Sequence, residues 1–329
     1  MSDTTESLRR KIAGAENLEA VVRAMKALAA SRIGQYERAV QALDDYYRTV
    51  ELGLAACFRQ AGAGPFAPAT GARDAGAMGI VVFGSDQGLV GQFNEVLATF
   101  VIHTLGGLPG KVSKTWAVGE RVHALMADTG LPLAARLPVP ISVDAITPLV
   151  GQILVEIETA REQGDLEQVY LFHNQPQSGA AYAPVRQRLL PLDNTWRSKL
   201  AAVTWPTKRL PEVIHGVEPV LRALIRGYLF VLLFQACAQS LASENASRLA
   251  AMQRAEKNIK DTLEDFSRTF HRLRQGSIDE ELFDVISGYE VSSEEAGKAR
   301  GGASASRDPL SATFSSLFRP ADRLRRGLG

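Results

Sequence analysis

Both ends of the chain are proline-free over lengths far beyond an ordinary helix of three or four turns. No proline occurs from residue 3 to residue 60, and none stands between Pro219 and Pro309. In the first stretch, Leu8, Ile12, Ala15, Leu18, Val22, Met25, Ala29, Ile33, Tyr36, Val40, Leu43, Tyr47, Val50 and Leu54 recur in threes and fours. The mean step of about 3.5 is that of a left-handed coiled-coil seam. Asp3 followed by Glu6 suits a capped start. A continuous helix over residues 3–60 would be on the order of 85 Å long, and one over residues 217–288 roughly 105 Å. Such helices cannot bury an apolar stripe within themselves. Each therefore predicts a partner helix, most simply the other end of the same chain, and the unequal lengths predict one end running past the paired zone.

The second stretch carries its own seam, including Leu221, Leu224, Tyr228, Val231, Leu241, Leu249, Met252, Ile259, Leu263, Phe266, Phe270 and Leu273. Glu244/Arg248, Glu256/Lys260 and Glu264/Arg268 stand acid-first at i,i+4, each worth a few tenths of a kcal/mol. The run 227–234 (GYLFVLLF) is too short to span a bilayer and reads as buried helix.

Between the ends the pattern changes. Residues 61–77 are rich in Gly, Ala and Pro and read as linker or loop. Residues 79–84, 114–118 and 168–173 read as short strands, 137–143 as an extended stretch broken by prolines, and 185–192 as an edge strand. Residues 89–105, 120–128 and 145–163 read as helices. Strands alternating with helices imply a small, Rossmann-like α/β layer with a largely parallel sheet. The expected organisation is a first long helix (1–60), a linker (61–78), an α/β base (79–215), a second long helix (216–290) and a largely disordered extension (291–329).

The net charge of +1 argues against a dedicated nucleic-acid binder. Cys57 and Cys237 imply no disulfide framework and suit a reducing compartment. The start, SDTTESLRRK, lacks the apolar core of a signal peptide. His103, His123, His173, His215 and His271 are scattered, so no metal site is expected. The stretch GSDQGLVG after a strand resembles a phosphate loop but lacks both the GK[ST] ending and the GxGxxG spacing. A turn allowing tight strand–helix packing is the better reading of Asp86, Gly88 and Gly91, and no cofactor is expected.

Three separated stretches carry a family resemblance. They are RAMKALAASR (23–32), GSDQGLVGQFN (84–94), and SLASENASRLAAMQRAEKNIKD (240–261) followed by RQGSIDEEL (274–282) and DVISG (284–288). In this order they resemble the gamma subunit of F-type rotary ATP synthases, over roughly residues 6 to 290. The resemblance implies an α/β base bearing a long antiparallel coiled coil that acts as the central rotor shaft. It implies alpha and beta subunits, an epsilon subunit and a membrane c-ring as partners. It implies a peripheral place on the cytoplasmic face of a bacterial inner membrane, with no membrane insertion, no nucleic acid and no catalysis by this chain itself.

The same resemblance marks Met25, Lys26, Arg32, Glu244, Arg248, Arg274 and Gln275 for contact with the alpha/beta ring. The plainer reading makes Met25 a seam residue and the charged side chains a solvated face of little energetic weight. On the rotor reading the seam supplies stiffness, and torque passes through outward Lys26, Arg32, Arg248, Arg274 and Gln275. Departures from the family pattern are Gln87 for a basic residue, Val90 for Cys, and Asp279 for Thr. The stretch VTWPTKRLP (203–211) replaces an acidic and aromatic foot, which leaves Trp205, Thr207 and Lys208 as candidate c-ring contacts. Residues 294–329 have no family counterpart and would be an added bearing or regulatory element. Competing readings are a nucleotide-binding α/β protein with helical extensions and a non-rotary coiled-coil scaffold.

Overall fold

The computed structural model describes residues 4–61, 76–177, 180–192, 194–209, 211–213 and 216–300. Most of the expected linker, His215, and residues 301–329 of the extension lie outside these described residues. The chain divides into two compact units, Ile12–Glu264 and Met1–Lys11 with Asp265–Gly329.

The first expected helix is two, α1 (Thr5–Ala42) and α2 (Asp44–Ala61). At the break the Leu43 amide donates to Val40 O, a tight i→i−3 closure, and the Tyr47 amide donates to Leu43 O as the new helix starts. Asp44 and Asp45 occupy the first turn of α2, where carboxylates complement the helix N-terminus. Apolar spacing continues across the break and so conceals it.

The sheet has the order β3-β2-β1-β4-β5. Strands β1 (Ala77–Phe83), β2 (Lys111–Val118), β3 (Leu133–Leu137) and β4 (Gln168–Gln177) are parallel, and β5 (Ala180–Leu190) pairs antiparallel with β4. The central strands are buried on both faces, as a covered parallel sheet requires. On one face α3 (Phe93–Gly106) and α4 (Glu120–Ala127) pack over Ile80, Val82, Ala117 and Phe172. On the other, α2, α5 (Ile146–Glu162) and the early part of α7 (Val217–Arg300) pack over Val81, Phe83, Trp116, Val118 and Leu171.

Several elements differ from expectation. The third strand lies before Pro138 and Pro140 rather than across them, because proline cannot donate to a ladder. Strand β5 begins at Ala180 and tolerates Pro184 because it forms the sheet's edge. Helix α3 begins at Phe93 rather than residue 89, since Leu89 (φ 62) and Gly91 (φ 60) are left-handed. A short helix, α6 (Asn194–Ala201), had no counterpart in the sequence reading. Its Trp196 packs edge-on against Phe58 of α2 and Tyr228 of α7.

Helix α7 starts with Pro219 in its first turn, where a missing amide hydrogen costs nothing. It continues past Gly288 to Arg300 as one 84-residue helix, beyond the end expected for it. One segment within it is long and apolar enough to cross a membrane, and half of that segment is buried; Leu232, Leu233 and Phe234 belong to the core against the sheet. Cys57 and Cys237 are both free and buried.

In the larger unit α1 runs beside α7 with Ala29, Tyr36 and Met252 buried. The expected seam holds at Ile12, Val22, Ala29, Ile33 and Tyr36 and departs at two positions. Leu18 is 59% exposed and Met25 36%, while the neighbouring Glu19 and Lys26 turn inward. Leu18 and Met25 instead align with Val21 and Leu28 as an open apolar stripe. In the other unit Leu8 is buried, Arg9 lies over the Phe270 ring and Lys11 over Phe266. There α7 carries Ile278, Leu282, Phe283, Val285 and Tyr289 exposed.

Candidate functional site

The turn after β1, residues 84–94, is where the sheet meets the long helix. Gly84 is required: a Cβ there would lie 2.4 Å from Val122 Cβ and 2.8 Å from Asn94 Oδ1. The buried Ser85 amide donates to Asn94 Oδ1 at 2.9 Å, and Asn94 Nδ2 donates back to Ser85 Oγ at 2.8 Å. Asp86 accepts from the Glu120 amide (2.9 Å) at the start of α4 and from the Val139 amide (3.0 Å) after β3. One carboxylate thus ties three segments at the carboxyl edge of the sheet. The paired left-handed residues, Leu89 and Gly91, turn the Val90 carbonyl toward α7.

Helix α7 answers with three buried serines on one face, spaced three and four apart. Ser240 Oγ donates to Phe83 O at the end of β1 (3.0 Å), and Ser243 Oγ to Asn174 O on β4 (3.1 Å). Ser247 Oγ donates to Val90 O (2.5 Å). Beside them, His173 Nε2 and Gln239 Oε1 are 3.0 Å apart. Burial holds the His173 imidazole neutral, its pKa lowered to about 4. Strand order reverses between β1 and β4, and the crevice at their carboxyl ends is where an open α/β sheet ordinarily receives a nucleotide. Here α7 fills it. Asp86, Gly88 and Gly91 shape a structural turn, and among the described residues no cluster of His, Cys, Asp or Glu is suited to a metal.

A polar node lies one helical face away. Glu244 and Arg248 pair at 2.6 Å with only 7% and 13% of their side chains exposed. Burial pushes the Glu244 carboxyl up, and the Arg248 guanidinium partly offsets it. Arg32 and Asp86 also act on Glu244, and Arg32 and Glu244 act on the buried Tyr36 phenol. The node therefore joins α1, the turn after β1, and α7.

The marked residues fall into two groups. Met25, Arg274 and Gln275 are exposed. Lys26, Glu244 and Arg248 are neither outward nor part of a solvated face: Lys26 pairs with Glu256, and the other two pair with each other. Arg32 is half-buried. Glu256 and Lys260 approach to 3.4 Å as spaced, whereas Arg268 pairs with Asp265 rather than Glu264. Between α6 and α7, half-buried Trp205 donates through Nε1 to Thr207 Oγ1, which donates to Arg209 O, closing a local turn that leaves Thr207 and Lys208 exposed. Sequence reasoning missed Ser240, Ser243, Ser247 and Asn94. The serines' one-face spacing within an apolar run was the available signal.

A family model described as ATP synthase matches residues 4–291. The ATP synthase gamma chain of Ralstonia nicotianae is 26% identical over 290 residues, covering 86% of this chain and 98% of that relative. That of Cupriavidus pinatubonensis is 27% identical over 291 residues, with coverage of 86% and 98%. Among solved structures, the rotor of the Euglena gracilis mitochondrial ATP synthase in rotational state 1 matches with a TM-score of 0.54 and 13% identity, over 83% of this chain and 98% of that one. The OSCP/F1/c-ring assembly from the same organism, in rotational state 3, contains a chain matching with a TM-score of 0.55 and 13% identity, over 93% and 98%. These two likenesses are of fold. With the family match running through both long helices and the sheet between them, this chain belongs to the ATP synthase gamma-chain family.

Proposed function

We propose that this chain is the central rotor stalk of an F-type ATP synthase, coupling rotation of a membrane c-ring to conformational change at catalytic beta subunits. The observation that carries this reading is the family match over residues 4–291, which takes in α1, the sheet and α7 through Val291. The chain itself makes and breaks no bonds. Its base rests on the c-ring beside an epsilon subunit, with Trp205, Thr207 and Lys208 in the foot. The paired helices stand within three alpha and three beta subunits, on the cytoplasmic face of a bacterial inner membrane and without entering the bilayer. The division into first helix, base, second helix and extension belongs to the same proposal, with residues 294–329 an added bearing or regulatory element.

A stalk works by asymmetry. Around α1 and α7 the side chains differ: an open stripe of Leu18, Val21, Met25 and Leu28 lies on one helix, and exposed Arg274 and Gln275 lie on the other. As the stalk turns, each beta subunit meets a different set. Differential contact shifts its balance among open, loose and tight states, and a ligand or partner can shift an equilibrium only by such a difference.

Co-expression with alpha and beta subunits tests the reading. One copy of this chain per three alpha and three beta subunits is expected, with ATP hydrolysis that depends on its presence. A stable symmetric dimer of this chain that captures neither subunit would replace the rotor with a scaffold. Saturable ATP binding to the chain alone would favour a nucleotide-binding protein, against the filled crevice.

A further inference from the structure

Helix α7 is held to the sheet by two kinds of contact. One is apolar: Leu221, Leu229, Leu233 and Leu241 pack into the core. Apolar packing opposes separation but is non-directional, so it resists rotation of a helix about its own axis only through shape. The other is the row of Ser240, Ser243 and Ser247, each donating to a carbonyl of a different segment, β1, β4 and the turn after β1. Hydrogen bonds are directional and weaken steeply off axis. All three serines are buried.

The neighbouring positions make this orientation exclusive. A slip of one residue in one direction would bring Leu241, Glu244 and Arg248 into the crevice; a slip in the other would bring Gln239, Ala242 and Ala246. The first set would press a carboxylate against backbone carbonyls, and the second offers a single side-chain donor in place of three hydroxyls. Only the native azimuth satisfies Phe83 O, Asn174 O and Val90 O together. Gly91 takes the left-handed conformation (φ 60) that favours glycine in this turn, and it lies against Ser247.

We propose that Ser240, Ser243 and Ser247, seated in the crevice at the carboxyl ends of β1 and β4, are the key through which the base transmits torque to α7. The inference rests on the rotor reading and adds to it the residues that set the helix's azimuth. They are positioning residues, acting on the beta subunits only through α7. Removing the hydroxyls leaves a helix that is bound but slips under load.

The test uses the full complex of this chain with alpha, beta and epsilon subunits and the membrane sector, in vesicles. ATP hydrolysis and ATP-driven ion pumping are measured on the same preparation. Ser240→Ala/Ser247→Ala is expected to hydrolyse ATP within about twofold of the parent while its pumping per ATP falls at least about threefold. Ser247→Thr, which keeps a hydroxyl, is expected to pump like the parent. Leu233→Ala, which removes packing but no hydroxyl, is expected to lower the melting temperature and leave the ratio intact. If the double variant does not assemble, the single Ser→Ala variants are read the same way, each with a smaller fall. A parental ratio in the alanine variants, or an equal fall in Leu233→Ala, overturns the key while leaving the rotor reading standing. A parent complex that hydrolyses ATP but never pumps overturns the rotor reading itself.

Discussion

Lys26 of α1 and Glu256 of α7 meet across 230 positions of sequence, Nζ 2.5 Å from Oε2. Lys26 turns inward where the coiled-coil pattern would have set its neighbour Met25 facing the partner helix. The pair ties the two helices together where Met25 turns outward, while the expected seam residues Val22 and Ala29 of α1 and Met252 and Ile259 of α7 stay inward. The Lys26 hydrogen bond holds the Glu256 carboxyl below the usual glutamate range. A depressed carboxylate pKa contributes stability that is present above the unfolded value and is lost as pH falls through the folded one. Lys26→Glu is expected to lower the melting temperature at neutral pH, and Lys26→Glu/Glu256→Lys to restore part of the loss. Thermal melts of the four members of the cycle measure the coupling.

His173 makes the fold sensitive to acid in a different window. Its imidazole titrates near 6.5 when unfolded and at about 4 in the fold. The unfolded state therefore binds the extra proton first, and stability falls as pH drops from about 6.5 toward 4. The full effect is on the order of 3 kcal/mol for a shift of this size. Glu244 opposes it, since burial raises its carboxyl and protonation relieves a buried charge. His173→Gln is expected to be less destabilised than the parent by a change from pH 7 to pH 5. Denaturant unfolding at the two pH values would refute the assignment if both proteins lost the same stability.

Gly84 tests the packing of the turn. A methyl group at this position would overlap Val122, whose Cβ is backbone-anchored and cannot swing aside. Gly84→Ala is expected to cost about 1–3 kcal/mol, the usual range for overpacking a well-packed core. Gly14 faces open space, and Gly14→Ala should instead be neutral or stabilising, through better helix propensity. Urea midpoints of the two variants should move in opposite directions or differ by more than about 1 kcal/mol after scaling by m.

The stripe of Leu18, Val21, Met25 and Leu28 separates folding from assembly. These side chains are exposed within their own chain, so Leu18→Ser/Met25→Ser is expected to change stability by no more than about 0.5 kcal/mol per site. The same variant should weaken activation of ATP hydrolysis in the complex with alpha and beta subunits. Unaltered activation in that complex would remove the stripe from the contact surface.

Much of this architecture was readable in advance where local patterns agree with tertiary demands. The runs GIVVF and VYLFH are continuous and apolar because both faces of β1 and β4 are covered. Long proline-free ends became long helices, the first of them broken once, at Leu43. Elsewhere the competing force was not local. Heptad spacing assigned Leu18 and Met25 to the seam, but a slight drift in helix phase suffices to exchange them for Glu19 and Lys26. The charges of Glu244 and Arg248 suggested solvent, yet partnership within one helix let both go under. The serines of α7 looked like neutral helix residues, since nothing in a sequence reveals which distant carbonyls a turn will aim at them.

The crevice between β1 and β4 has a further consequence. A small molecule in such a crevice binds and leaves in proportion to its concentration. An occupant that is part of the same polypeptide has a fixed, very high effective concentration and no bulk pool with which to exchange. Metabolite levels therefore have no handle on this site. A pocket geometry suited to sensing has become a permanent socket, and its occupancy is as constant as the chain is long.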